Sequence, residues 1–208
     1  MVHAKPSAPG GDAAALAADI VETAGATGGY CLVLGLEDGS LAETLAEQFT
    51  VIAIDPDAAK VDALRRSLHA RGIYGSQISV HVGDPLTHSF PPFLASLVVT
   101  ETPGIFATDA GAAAFPEIFH TLRPYGGTAC LPIAEADRTA WTESAEQIQT
   151  ARTGESGEWL LLSRMGALPE AADWSHAGAN AGNTGGSEDS YLRGKLGLLC
   201  YAGSHCRN

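Results

Sequence analysis

The residues best suited to chemistry stand together in one short stretch, Gly35-Leu36-Glu37-Asp38-Gly39-Ser40. It separates an apolar run, Tyr30-Cys31-Leu32-Val33-Leu34, from a segment with Leu41, Leu45 and Phe49 at helical spacing. Glycines in such a turn let the backbone bend sharply and come close to a nucleotide-like ligand, with amide N–H groups of the helix start facing it. Twenty residues beyond Gly35, Asp55-Pro56 ends the next apolar run, where a carboxylate can accept the hydroxyls of a ribose. The same aspartate also suits a helix cap. Gly83-Asp84 closes a third run, and Asp84 before Pro85 equally fits a tight turn. Glu101, after a fourth run, is a candidate general base or simply a solvated loop acid.

Periodicity predicts the elements that hold these residues. A helix from Asp12 carries Leu16, Ile20 and Val21 on one face and ends at Gly25. Short continuous apolar runs at 30–34 and 51–54 suit strands buried on both faces, and 78–82, 97–100 and 127–131 read as a third, fourth and fifth strand. Helical patterns over 40–49, 56–71 and 112–122 fall between them, the second with Pro56 at its start and Gly72 at its end. Strands alternating with helices imply right-handed crossovers, so the expected fold is α/β: doubly wound and Rossmann-like, a mostly parallel sheet with helices on both faces. Later, 138–151 reads as a helix and Trp159-Leu160-Leu161-Leu162 as a late strand, an antiparallel edge. From Leu168 the composition turns to Asn, Gly and Ser clusters. The expected organisation is a flexible leader (1–11), a Rossmann-like domain (12–168) and a loop-rich tail (169–208).

Two ligand classes use a glycine turn followed by an acid. The dinucleotide fingerprint G-x-G-x-x-G needs glycine two residues after the first, but position 37 is Glu and position 40 is Ser. Glu37 would also set negative charge beside a pyrophosphate, whereas it is compatible with a ligand bearing an ammonium and a sulfonium. Over roughly 12–165 the chain resembles the class I S-adenosylmethionine-dependent methyltransferases. The residues that carry the resemblance are Leu34 to Gly39, Asp55, Val82-Gly83-Asp84, and Leu122-Arg123-Pro124-Tyr125-Gly126-Gly127. The resemblance implies that the loop, with Gly35, Leu36, Glu37 and Gly39, cradles the methionine portion. It implies also that Asp55 and Pro56 meet the ribose and that Gly83 and Asp84 lie against the adenine. In that family Gly often stands where this chain has Glu37, and an acid where it has Val33.

Asp173-Trp174-Ser175-His176, Ala179 to Thr184 and Leu196 to Gly203 resemble the junction in large bacterial proteins that join a methyltransferase-like domain to a PQQ-like β-propeller. That resemblance implies that 169–208 begins a propeller and contacts one.

The 208 residues carry 12 Lys and Arg against 24 Asp and Glu, a formal charge of -12. Such a surface repels polyanions, so nucleic acid and anionic membranes are not expected partners. No stretch approaches the ~20 consecutive apolar residues of a membrane span, and the N-terminus lacks the apolar core of a signal peptide. The chain as written is expected in the cytoplasm, with an exported parent open if it is a fragment. Cys31, Cys130, Cys200 and Cys206 form no metal-ligand spacing with each other or with the dispersed histidines, so no metal is expected. The leading expectation is methyl transfer from S-adenosylmethionine to a small-molecule or protein acceptor. Beside it stand a degenerate, non-catalytic scaffold next to a propeller and, third, an NAD-dependent oxidoreductase.

Overall fold

The computed structural model describes residues 11–107, 111, 113–173, 175–177, 181–183, 185–186 and 189–190. The chain divides into two units, Met1–Gly166 and Ala167–Asn208.

The first unit is a seven-stranded sheet in the order β3-β2-β1-β4-β5-β7-β6. Its strands are β1 (Tyr30–Leu34), β2 (Thr50–Asp55), β3 (Ile78–Val82), β4 (Ala95–Val99), β5 (Gly127–Leu131), β6 (Ala151–Ser156) and β7 (Trp159–Arg164). The first five are parallel; β7 runs antiparallel to both β5 and β6. The helices are α1 (Gly11–Ala24), α2 (Ser40–Leu45), α3 (Ala58–Ala70), α4 (Phe115–Thr121) and α5 (Glu135–Glu146), with a 3-10 turn at Pro103–Phe106. This is the doubly wound Rossmann-like architecture that the sequence predicts.

The continuous apolar runs have a direct cause. In a strand successive side chains point to opposite faces, so a strand covered on both sides must be apolar at every position. Cys31 and Val33 of β1 join Val51, Ala53, Val80, Leu97 and Val99 in one core with Ile20, Leu41, Leu45, Val61 and Leu68 of the first three helices. Leu32 and Leu34 join Ile54, Val98, Ala129 and Leu131 in a second core with Phe115, Ile118, Phe119 and Trp141. Each fully buried aliphatic side chain contributes about 1.5–3 kcal/mol. The thiols of Cys31 and Cys130 are buried and free. Burial pushes the Cys31 thiol far above its ordinary value and, with Asp19 nearby, Cys130 up to about 12. Both therefore pack as small hydrophobes rather than act as thiolates.

Several element bounds differ from the sequence reading. The helix read over 40–49 ends at Leu45; Phe49 is still buried, delivered by the following turn rather than by helical phase. The third helix starts at Ala58, not Pro56, because the Asp57 side chain accepts from the N–H groups of Ala59 (2.9 Å) and Lys60 (3.2 Å). The helix read over 138–151 is shifted to Glu135–Glu146, with Glu135 and Asp137 in its first turn, where they complement the helix dipole. The strand at Trp159 pairs antiparallel as expected but is not the edge: β6, which the sequence reading missed, lies outside it. In an edge strand with the sequence ARTGES only Ala151 is buried, which leaves no apolar alternation to read.

Two contacts lock β7 in place. The Trp159 indole N–H donates to Asp19 of α1 (3.0 Å). The buried Arg164 guanidinium donates to the carbonyls of Leu122 (2.8 Å) and Phe119 (2.6 Å) at the end of α4, and lies over the Phe119 ring at 3.8 Å. It thus engages the carbonyls at the helix end, that of Phe119 alongside the Leu122 N–H (3.2 Å).

The described residues of the second unit form no helix or strand. Glu170 accepts from the backbone N–H of Ser190 (3.1 Å) and, through its carboxylate, from the Ser190 hydroxyl. Trp174, Ala179, Asn180, Thr184 and 196–203, which carry most of the propeller resemblance, lie outside the described residues, as do residues 1–10 of the expected leader. Among the described residues no helix is long and apolar enough to cross a membrane.

Candidate functional site

Chain order reverses at β1: β2 and β3 extend the sheet on one side, β4 and β5 on the other. Open α/β sheets bind ligands in the crevice at such a switch point, outside the carboxyl ends of the strands. Here that crevice is a cleft of about 440 Å³, in the size range of small-molecule sites. Gly35 after β1, Asp55 at the end of β2 with Pro56 after it, Asp84 after β3, and Thr102 and Ile105 after β4 line it, with Asp57, Lys60, Pro85 and Leu86.

The sequence dictates how Gly35 reaches this position. The buried Thr100 hydroxyl donates to the Leu34 carbonyl and accepts from the Thr102 N–H (2.9 Å), which folds Thr102 back over the end of β1. Gly35 has φ +80°, and a Cβ there would stand 2.0 Å from the Thr102 hydroxyl oxygen. Only glycine fits both the conformation and the space.

Asp55 is 3% exposed and closely held. Its Oδ2 accepts from the Leu36 N–H (2.8 Å) and from the Lys60 ammonium (3.1 Å); Oδ1 accepts from the Asp57 N–H (2.9 Å). A carboxylate has about four lone-pair directions, so one on Oδ1 stays available to a ligand hydroxyl. Lys60 also donates to the Leu36 carbonyl. Sequence reasoning missed this lysine. The signal was its place in the first turn of α3, because helical side chains tilt toward the N-terminus and so reach back to the strand end. Asp84 is exposed and its Oδ1 accepts from the Leu86 N–H (2.8 Å), so it shapes the turn at Pro85 while lining the cleft.

Glu101 is used differently. It does not line the cleft. Its Oε2 accepts from the N–H groups of Glu37 and Gly39 (both 2.8 Å), and its Oε1 from that of Ala42 (2.9 Å). Burial raises its carboxyl above the ordinary value of 4.5; the three amide donors pull the other way, and Asp38 adds to the rise. Asp38 itself is lowered by its side-chain and backbone hydrogen bonds with Ser40. Set back from the cleft, with Oε2 accepting from two amides and Oε1 from a third, Glu101 is placed to hold the loop rather than to act as a base.

Of the residues singled out by sequence, the structure therefore gathers Gly35, Asp55, Pro56 and Asp84 around one cleft. Leu36 is fully buried, with its backbone on Asp55 and Lys60. Glu37 is exposed, and Gly39 is buried with φ +86°. Gly83 stands behind the cleft against Ile54, where a Cβ would come within 2.9 Å. Among the described residues no group of three or more His, Cys, Asp or Glu side chains is placed to hold a metal ion.

No protein-family model matches this chain, and no curated protein matches it in sequence. Solved structures match it in fold. A candidate S-adenosyl-L-methionine-dependent methyltransferase of Methanococcus maripaludis is similar over 76% of this chain and 86% of its own, at 19% identity and a TM-score of 0.55. A methyltransferase of Geobacter sulfurreducens is similar over 73% of this chain and 77% of its own, at 19% identity and 0.52. Geranyl diphosphate methyltransferase, solved in complex with SAM, is similar over 68% of this chain and 66% of its own, at 14% identity and 0.56. At these identities the likeness is one of architecture: the mostly parallel seven-stranded sheet is the fold of these methyltransferases.

Proposed function

We propose that this chain binds S-adenosylmethionine in the cleft at the carboxyl ends of β1 to β4 and transfers its methyl group to a small-molecule or protein acceptor. The observation that carries the reading is the meeting of Gly35, Asp55 and Asp84 around one cleft at the switch point of a methyltransferase-type sheet. The residues fit such a ligand. Gly35 lets the loop pack against Thr102 at the cleft wall, where a Cβ would clash, and the unused lone pair of Asp55 suits a ribose hydroxyl. The apolar faces of Pro56, Leu86 and Ile105 suit an adenine ring. Leu36, Glu37 and Gly39 shape the loop behind the methionine portion, and Gly83 packs beneath the adenine side.

The sulfonium supplies an activated methyl group: an acceptor lone pair forms the new bond as the S–CH3 bond breaks, leaving a neutral thioether. The protein's part is alignment of the acceptor and exclusion of water, which needs no dedicated base. With Glu101 bound to the loop, the acceptor's proton passes to solvent or to a group the acceptor brings. No metal is required.

A second reading, a non-catalytic Rossmann-like scaffold beside a propeller begun by 169–208, draws on one specific observation. Lys60 already neutralises Asp55, and Glu101 already fills the loop amides, so the loop is complete without a ligand. An NAD-dependent oxidoreductase is the weaker candidate, because the amides that would meet a pyrophosphate are taken. Parallel calorimetric titrations with S-adenosylhomocysteine, S-adenosylmethionine and NADH separate the three. The proposal expects micromolar binding of the first two; silence from all three supports the scaffold, and binding of NADH alone defeats the methyltransferase reading.

A further inference from the structure

The three amide donors on Glu101 have no other source of satisfaction in the loop. Glu37 is an exposed loop residue, Gly39 precedes α2, and Ala42 lies in the first turn of α2, where backbone N–H groups lack a helical carbonyl. One carboxylate from beyond β4 answers all three. The same residue's backbone N–H donates to the Gly35 carbonyl (3.3 Å), so Glu101 grips the loop at its beginning and along its second half. Thr100 and Thr102, its chain neighbours, hold the end of β1 and close over Gly35.

We infer that Glu101 is a positioning residue that serves as the loop's built-in anion: it fixes loop 35–39 in its ligand-facing shape before any ligand arrives and denies the loop amides to phosphate groups. Selectivity follows from occupancy. A pyrophosphate arriving at this turn meets no free N–H from Glu37, Gly39 or Ala42, and it faces the negative charges of Glu101, Glu37 and Asp38. A nucleoside thioether needs none of those donors and keeps its contacts on the Gly35 and Asp55 side. The ligand half of this inference rests on the proposed adenosyl site; the loop-holding half does not.

Amide hydrogen exchange on the ligand-free chain tests the loop-holding half directly. In the wild type the N–H groups of Glu37, Gly39 and Ala42 are expected to exchange at least about tenfold more slowly than in an unstructured chain. In Glu101→Ala they accelerate together, while the Gly35 N–H, bonded to the Ile54 carbonyl at 2.8 Å, keeps its protection and certifies an intact fold. If Glu101→Ala does not fold, Glu101→Gln serves: it keeps one acceptor oxygen and loses the charge, so at least one of the three amides loses protection. Free exchange at these amides in the wild type, or protection that Glu101→Ala leaves unchanged, overturns the inference. Inorganic pyrophosphate tests selectivity: no perturbation of the three amides is expected, and a perturbation localised to them overturns that half. If S-adenosylhomocysteine fails to bind while the exchange pattern holds, the proposed function fails and the loop-holding role stands.

Discussion

The loop after β1 is held from two sides by two carboxylates, and the two halves are built for different purposes. Its first half, Gly35-Leu36, is tied to β2 through Asp55, which keeps one acceptor direction open to the cleft. Its second half, Glu37 to Gly39, is tied to the end of β4 through Glu101, which accepts from three backbone amides and does not line the cleft. β2 and β4 are the two neighbours of β1 in the sheet, so the loop is strung between them. The difference teaches that sharing a glycine turn does not make every residue of it a ligand contact. One half presents a surface, and the other is internal structure that happens to reach the surface.

The largest test strikes the first half. Gly35→Ala forces a Cβ into the Thr102 hydroxyl at φ +80°, and is expected to cost about 2–4 kcal/mol in urea unfolding and to abolish S-adenosylhomocysteine binding. Retained binding with retained stability would show that the cleft is not organised by this residue. Asp55→Asn comes next: it trades an acceptor oxygen for an NH2 group among donors that include the Leu36 and Asp57 N–H groups. Stability should fall by about 1–3 kcal/mol, and affinity for S-adenosylhomocysteine by tenfold or more, about 1.4 kcal/mol. An unchanged affinity by calorimetry removes Asp55 from the ligand.

The second half responds to pH. The folded-state pKa of Glu101 is raised, chiefly by burial, so its protonated form favours the folded chain. Its stabilising contribution is full below the ordinary glutamate value and is lost as pH rises through the raised value. Unfolding measured from about pH 4 to about pH 8 should therefore show wild type losing stability relative to Glu101→Gln as pH rises; an opposite slope would mean that the amides outweigh burial. The smallest effect is expected at Glu37. Its side chain is exposed and only its N–H is engaged, so Glu37→Gly should alter affinity less than about twofold and cost at most about 1 kcal/mol of stability. A tenfold gain in affinity would mean that the local charge, rather than the backbone, sets how the loop treats its ligand.

The centre of the parallel sheet was legible because burial on both faces writes itself as an unbroken apolar run, as at Tyr30–Leu34; the bounds of Ile78–Val82 and Gly127–Leu131 also match, although the first alternates with Ser79 and His81 and the second carries Thr128. The antiparallel end was not. β6 is polar because it has an open edge, and the helix before it was misplaced because the residues that start it, Glu135 to Asp137, signal through the helix dipole rather than through hydrophobic period. In the site, Gly35, Asp55 and Asp84 were legible because each stands at or just past the end of a strand. The task of Glu101 was not, since its partners lie about sixty residues earlier in the chain and are backbone N–H groups, which no side-chain pattern encodes. Lys60 was hidden for a simpler reason: a lysine in a first turn reads as solvated until the strand end beneath it is placed.

The hairpin of β6 and β7 has a bearing on how the chain assembles. It is joined by Gly157 and Glu158 alone, whereas every other pairing in the sheet links strands more distant in sequence. Residues 30–105, which hold both carboxylates and all the cleft lining, leave a ribosome well before Trp159. The hairpin can then close within microseconds of its emergence and add to the waiting β5 as a finished piece. Until it does, the carbonyls of Phe119 and Leu122 and the ring of Phe119 lack the guanidinium of Arg164. The cleft is thus composed of early residues and secured by late ones, so a chain arrested between the two would carry its cleft residues on a domain still open at the far end of its sheet.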